Sequence, residues 1–338
     1  MSCLLITECD IATTSLGRQR RDASLAAWAE GAAAGKVAHV SVLAAEGELS
    51  RFRRTMRVIG WRPPAWHGRR PVLILSALAA PHMVVLGLLL SRRHRVVIDV
   101  CDSWLLLARA QASQGSPRCL VSLATWMVLR FLSGRCLLAY ISDRDANADR
   151  FPPSLHRSFV IPQIVAEEQL LGLKPVAYPL SRIVVAFDPK SLHNRRGTSR
   201  YLPALAEWAD RDGVSLEVFG GIPAALLPPG VSRAAWVDNL VDVYTGDTAV
   251  FVTNVAGSGI PNKVLEASAA GRPLIMHESL TYLLPYVAVP VWLFRSAESI
   301  GEASSACVNG RPAVPSNMRP AAEPCQPKWS FTCVEAKL

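Results

Sequence analysis

The chain has 338 residues, 50% of them hydrophobic and 19% charged, a composition that builds cores and excludes a disordered or fibrous protein. Its 24 prolines and 21 glycines are scattered, and no repeat of roughly 20–50 residues runs through it, which excludes collagen-like, low-complexity and solenoid classes. The formal net charge is +9, from 36 basic and 27 acidic residues; the excess is mostly arginine, which suits phosphates or an anionic surface, although arginine-rich coding alone produces such a balance and no aromatics interleave to make an RNA-stacking platform.

In chain order, residues 4–8 predict a strand, 11–17 a polar loop, 23–34 an Ala-rich helix and 39–44 a second strand. Short apolar runs follow at 72–76, 95–100, 137–142 and 158–161, with helices over 81–91 and 118–132. Continuous apolar runs are typical of parallel strands covered by helices on both faces, and the repeated strand–loop–helix order predicts a doubly wound α/β sheet. Residues 72–90, VLILSALAAPHMVVLGLLL, approach the length of a membrane span, but Pro81 and His82 interrupt them. A buried strand and a helix opening near Pro81 fit better, with His82 a core or helix-start residue.

The pattern breaks over 162–180, where Pro162, Pro175 and Pro179 predict an interdomain linker, and then restarts. Strands are expected at 182–187, 215–219, 231–237, 249–253, 272–276 and 289–294, and helices at 200–210 and 262–270. The organisation is therefore two Rossmann-like domains, 1–175 and 176–310, with a tail over 311–338 that crosses back to the first domain or frays. Eight cysteines, at 3, 9, 101, 119, 136, 307, 325 and 333, form no CxxC pair, and no His cluster has zinc spacing. With no charged n-region at the start, the expectation is a cytoplasmic protein with reduced thiols and no metal.

The most informative segment is 256–275, AGSGIPNKVLEASAAGRPLI: a Gly-rich loop, a helix, a Gly-Arg-Pro turn and the start of a strand. The Gly257-Ser258-Gly259 backbone can approach a ligand closely. The helix behind it turns N–H groups and a positive dipole end toward an anion such as a diphosphate. Lys263 adds charge in the first turn. Glu266 shares a helix face with Asn262 and Lys263, and a carboxylate there can accept both hydroxyls of a ribose. Gly257, Ser258, Gly259, Ile260, Asn262 and Glu266 are thus candidate nucleotide-binding residues. A lone Gly-x-Gly fits any Rossmann strand–loop–helix; Asn-Lys, Leu-Glu-Ala and Gly-Arg-Pro in register make this one more specific.

At this segment the sequence resembles the retaining glycosyltransferases of the GT-B fold, specifically glycosyltransferase family 4. Val264-Leu265-Glu266-Ala267-Ser268-Ala269-Ala270-Gly271-Arg272-Pro273-Leu274 is close to the family ending Leu-Glu-Ala-Met-Ala-x-Gly-x-Pro-Val, and residues 257–266 fit the Gly-x-Gly-Ile-x-Asn-Lys-x-Leu-Glu of a subgroup. More weakly, Asp99-Val100-Cys101-Asp102-Ser103 is similar to an Asp-x-x-Asp-Ser segment. Ser142-Asp143-Arg144-Asp145 is similar to a Ser-x-x-Asp stretch, and Val237-Asp238-Asn239-Leu240 with Tyr244 to a Val-x-Asp-Leu…Tyr segment. The chain departs at Ser258, where the family carries the first Glu of a spaced Glu pair associated with the donor sugar.

The resemblance implies transfer of a sugar, with retention, from a nucleotide-diphosphate sugar to a polysaccharide, lipid or small-metabolite acceptor. The nucleotide-sugar is then a substrate and no cofactor is called for. It implies a donor cleft between the two domains, with Lys263, Lys190 and Arg196 on the diphosphate, Arg195 being a substitute for Arg196. Gly17 is expected in the loop after the first strand, Val237 near the nucleotide, and Asp102 at the acceptor side, where it can instead cap the next helix. No Asp-x-Asp motif is present, in keeping with metal-independent chemistry. No nucleic-acid partner is expected. Trp126 and Arg130, on the helix over 118–132, can touch a membrane or an apolar acceptor, or simply pack, so peripheral contact with the inner face of a membrane is an open expectation. The alternatives are a degenerate GT-B nucleotide-sugar-binding protein, favoured by Ser258, and a sugar-nucleotide epimerase or another GT-B enzyme.

Overall fold

The computed structural model describes residues 3–7, 16–33, 37–41, 51–63, 72–76, 80–113, 115–132, 134–149, 158–161, 163, 165, 170, 172–187, 192–234, 237, 239–255 and 259–311. Its contacts divide the chain between Ile164 and Val165 into two compact units.

The first unit contains β1 (Cys3–Thr7), α1 (Leu16–Ala33), β2 (Val37–Ser41), α2 (Arg51–Gly60), β3 (Val72–Ser76) and α3 (Pro81–Leu90). It continues through β4 (Val96–Cys101), α4 (Trp104–Ala112), α5 (Arg118–Leu132), β5 (Leu137–Tyr140), α6 (Asp143–Ala148) and β6 (Ser158–Val160). All strands pair in parallel in the order β2-β1-β3-β4-β5-β6. One sheet face packs on α1 through Leu25 and Ala29. The other packs on α2, α3, α4 and α5 through Val58, Met83, Trp104 and Leu129. The apolar run 72–90 is the strand β3 and the helix α3, which opens with Pro81 at its first position; among the described residues no helix is long and apolar enough to cross a membrane.

The second unit contains β7 (Arg182–Ala186), α7 (Leu192–Asp212), β8 (Ser215–Phe219), β9 (Ser232–Arg233), α8 (Leu240–Tyr244) and β10 (Thr248–Val252). It continues through α9 (Asn262–Ala269), β11 (Leu274–His277), a 3-10 helix (Glu278–Tyr286), β12 (Val291–Phe294) and α10 (Ile300–Val308). Its parallel sheet runs β12-β11-β10-β7-β8-β9, so the chain winds outward from β7 to one edge and from β10 to the other. The order reverses between β7 and β10, and ligands of such sheets bind beyond the carboxyl ends of the strands at that reversal.

Several expected boundaries move, each for a physical reason. The first helix starts at Leu16, not 23: Arg21, Leu25 and Ala29 form a buried i, i+4 stripe, and Arg21 is paired with the buried Asp99 of β4. Gly17 therefore lies in the first turn of α1 and not in a loop. The helix expected from 200 starts at Leu192 because Asn194, Gly197, Thr198, Tyr201 and Leu202 form one buried face despite their polarity. The strand expected over 231–237 shrinks to Ser232–Arg233. Residues 172–180 are tied to the second unit and are not a free linker: Leu180 N donates to Val308 O at 2.9 Å and Ala177 N to Asp247 Oδ1 at 2.8 Å. The predicted tail lies outside the described residues from 312 onward. The described cysteines, Cys3, Cys101, Cys119, Cys136 and Cys307, are all free.

Candidate functional site

In the second unit, β10 leads through the Gly-rich segment into α9. Its Gly259 has φ +72°, a left-handed backbone that glycine adopts without steric cost. Ile260 is buried next to it, and α9 begins after Pro261, which provides no side-chain cap. The sheet topology sets the amino end of α9 over the carboxyl ends of β7 and β10. Lys263, buried in the first turn of α9, confirms this placement locally: its Nζ donates to the carbonyl of Ala186, the last residue of β7.

Glu266, one turn further, is also buried, and its Oε2 accepts from the Tyr244 hydroxyl at 2.8 Å. Tyr244 is the last residue of α8 and is itself buried, so it holds the carboxylate in a defined orientation. Asn262 is half-buried at the start of α9, and Val237 is half-buried between β9 and α8. Lys190, Gly257 and Ser258 lie outside the described residues. Arg196 is exposed on the second turn of α7, with Arg195 beside it, so both project from a helix and not from the expected loop.

Three further features of this end of the sheet are not marked by any local motif. The Thr253 hydroxyl, just beyond β10, donates to Asn194 Oδ1 of α7 at 2.5 Å. Gly197 brings α7 onto the backbone of Thr253. Asn254 has a buried Oδ1 with no hydrogen-bond partner, a polar atom able to accept from a ligand hydroxyl.

Asp102, in the first unit, follows Cys101, whose φ of +60° ends β4 abruptly. Asp102 does not cap α4. Ser103 does, accepting from Leu106 N at 3.1 Å. Asp149 adds a carboxylate at the same helix end, accepting from Ser103 Oγ at 2.5 Å, Leu105 N at 3.2 Å and Trp104 N at 3.3 Å. Ser142 caps α6, its Oγ accepting from Asp145 N at 3.2 Å and donating to the Asp145 carboxylate, and Asp145 also accepts from Ser103 N at 2.9 Å, tying the two loops together.

Burial, then repulsion from Asp145, pushes the Asp102 carboxyl up to about 7, against the pull of the Arg21 guanidinium. Burial likewise pushes Asp149 up to about 6. A carboxyl that ionises less readily when folded contributes stability that is complete below the ordinary range near pH ~4 and is lost as pH rises toward its folded value. Stability should therefore fall between about pH 4 and 7, with Asp102 contributing ~1–2 kcal/mol after allowance for its partial exposure. Asp102→Asn should remove that share and leave the part due to Asp149. Denaturant melts across this range check it, and a wild-type curve that rises toward pH 7 would contradict the assignment.

Among the described residues, no group of three or more His, Cys, Asp or Glu side chains is placed to hold a metal ion. The second-unit arrangement suits a bound anion with an attached diol: a helix amino end and a lysine for the anion, an oriented carboxylate for the diol.

No protein-family model and no curated protein sequence matches the chain. Solved structures do match it in fold. Anabaena Alr3699/HepE, in complex with UDP-glucose, is 11% identical with a TM-score of 0.59 and covers 99% of this chain and 100% of its own. A glycosyltransferase from Rickettsia africae is 10% identical with a TM-score of 0.57, covering 90% and 88%. A Listeria monocytogenes protein described as a UDP-N-acetylglucosamine 2-epimerase is 11% identical with a TM-score of 0.54, covering 91% and 87%. At these identities the likeness shows the fold, which is GT-B: two Rossmann-like α/β units with parallel sheets.

Proposed function

We propose that this chain is a glycosyltransferase that moves a sugar from a nucleotide-diphosphate sugar to an acceptor, with retention and without a metal, in the manner of glycosyltransferase family 4. The observation that carries the reading is the Tyr244-oriented Glu266 one turn behind Lys263, on a helix whose amino end overlies the β7–β10 reversal. Glu266 takes the ribose hydroxyls. The amino end of α9 and Lys263 take the diphosphate, with Arg196 and Lys190 as further cations. Asn254 Oδ1 accepts from a donor hydroxyl.

As the bond from the sugar carbon to the diphosphate oxygen breaks, negative charge grows on the leaving diphosphate. Fixed cations and helix N–H groups stabilise that charge more in the transition state than in the ground state. Asp102 is the acceptor-side carboxyl, and its ionisation near neutral pH lets it take a proton from an acceptor hydroxyl.

The test is a thermal-shift screen against UDP, GDP, ADP, CMP and dTDP, followed by transfer assays with the matching sugar donors. UDP and UDP-glucose come first because HepE binds the latter. A cognate nucleotide at ~100 times its dissociation constant adds ~2.7 kcal/mol, a readily visible shift. No shift with any of the five overturns the reading. Binding without turnover would favour the degenerate protein, to which the Ser258 departure points. Free nucleotide and an altered sugar without an acceptor would mark an epimerase.

A further inference from the structure

The helix α5 packs on the core through Leu129, Trp126 and Val128, yet several of its exposed side chains are also large and apolar. Its buried face carries Ser122 and Thr125 beside Leu129. Ser122 Oγ donates to Gln111 Oε1 of α4 at 2.9 Å, and Thr125 Oγ1 to the carbonyl of Val121 at 2.8 Å. The outer face carries Leu120, Val121, Leu123 and Met127, which are 68%, 53%, 38% and 44% exposed. They are four of the six large hydrophobic side chains exposed among the described residues. A surface helix normally turns its hydroxyls to water and keeps its outer face polar, so a second apolar stripe on the outer face of α5 marks a docking surface for an apolar partner.

The surrounding charge identifies the partner. Residues 51–142 hold fourteen arginines, no lysine and only two acidic residues, Asp99 and Asp102. Asp99 is buried against Arg21, and Asp102 is half-buried at the end of β4. The segment is thus more basic than the whole chain. Arg118 and Arg130, both exposed, bracket the apolar stripe along the axis of α5, and the Arg130 guanidinium lies 5.7 Å from the centre of the Trp126 ring. Arg109, on the neighbouring α4, and Arg57 with the exposed Met56, on α2 of the same layer, extend the pattern. An apolar stripe bordered by arginines, with no exposed carboxylate in this stretch, is complementary to an anionic lipid surface: side chains enter the acyl boundary and guanidinium groups meet the headgroup phosphates.

We propose that the outer face of α5 docks the first unit peripherally on an anionic phospholipid bilayer. This rests on α5 and its neighbours and not on the sugar-transfer reading, so each can fail without the other. The experiment is co-sedimentation of the full chain with phosphatidylglycerol-rich vesicles and with pure phosphatidylcholine vesicles. Expected is binding to the former that weakens when salt is raised from about 0.1 M to about 1 M, which shortens the Debye length from ~10 Å to ~3 Å. Leu120→Ser/Leu123→Ser/Met127→Ser should lower partitioning at least about tenfold with an unchanged melting curve, because these side chains leave water only on docking. Arg118→Glu/Arg130→Glu should lower it comparably and remove most of the salt dependence. No preference for anionic vesicles, or variants that bind like the wild type, would overturn the proposal. So would a wild-type dimer that the serine variant splits without any vesicle binding, which would assign the face to a second copy of the chain.

Discussion

Glu266→Ala is expected to weaken nucleotide-diphosphate binding by about 2–5 kcal/mol, which is ~30-fold to several thousand-fold in affinity. The carboxylate would accept two ribose hydroxyls, and charge-assisted hydrogen bonds to a buried carboxylate are among the stronger ones a side chain makes. The substitution also removes the acceptor that Tyr244 uses at 2.8 Å, so a drop in stability of about 1–3 kcal/mol should accompany it. Two further variants separate the effects. Glu266→Gln keeps an acceptor for the Tyr244 hydroxyl and the shape of the side chain, yet loses the charge; its melting curve should stay near that of the wild type while affinity falls. Tyr244→Phe keeps the charge but releases its orientation, and should cost ~1 kcal/mol of binding. Calorimetric titration with the nucleotide found in the thermal screen measures all three. Wild-type affinity in a folded Glu266→Ala variant would remove Glu266 from the site.

Gly197→Ala should lower stability by about 3–5 kcal/mol, close to the upper limit for one added methyl group. A β-carbon at this position would stand 1.6 Å from the carbonyl oxygen of Thr253 and 2.8 Å from its carbon. Both are backbone atoms at the end of the central strand β10, so no side-chain rotation relieves the clash and α7 must lift off the sheet. Lifting it breaks the 2.5 Å Thr253–Asn194 hydrogen bond and opens the packing of Tyr201 and Leu202 below. Since α7 lines the carboxyl end of the sheet, nucleotide binding should weaken in parallel. Urea unfolding measures the first effect. Arg196→Ala, one residue away but exposed, is the control and should stay within about 0.5 kcal/mol of the wild type. A Gly197→Ala protein with wild-type stability would mean that α7 and β10 do not meet in this way.

The parts of the fold that the sequence determined are those whose signal is local. The buried parallel strands β3, β4, β5 and β10 are nearly continuous apolar runs, so they stand within a residue or two of where hydrophobicity alone puts them. Pro81 separates strand from helix in a run that otherwise reads as a membrane span. The Gly-rich loop, Lys263, Glu266 and the Gly-Arg-Pro turn lie within twenty consecutive residues, so the helix α9 and the candidate residues on it could be read directly.

What only the tertiary structure decided depends on partners distant in sequence. The early start of α7 is hidden because its inner face is Asn194, Gly197 and Thr198, polar or small residues that become a helix face only against β10. Gly17 likewise reads as a loop residue until Arg21 finds Asp99, 78 residues away. Tyr244 gains its role from Glu266, 22 residues on, and α4 receives its second cap from Asp149, 46 residues beyond Ser103. The reversal of strand order at β7 and β10, over which the amino end of α9 lies, is a property of the sheet: each strand is set by its own composition, but which strands become neighbours is set by how the helices between them pack.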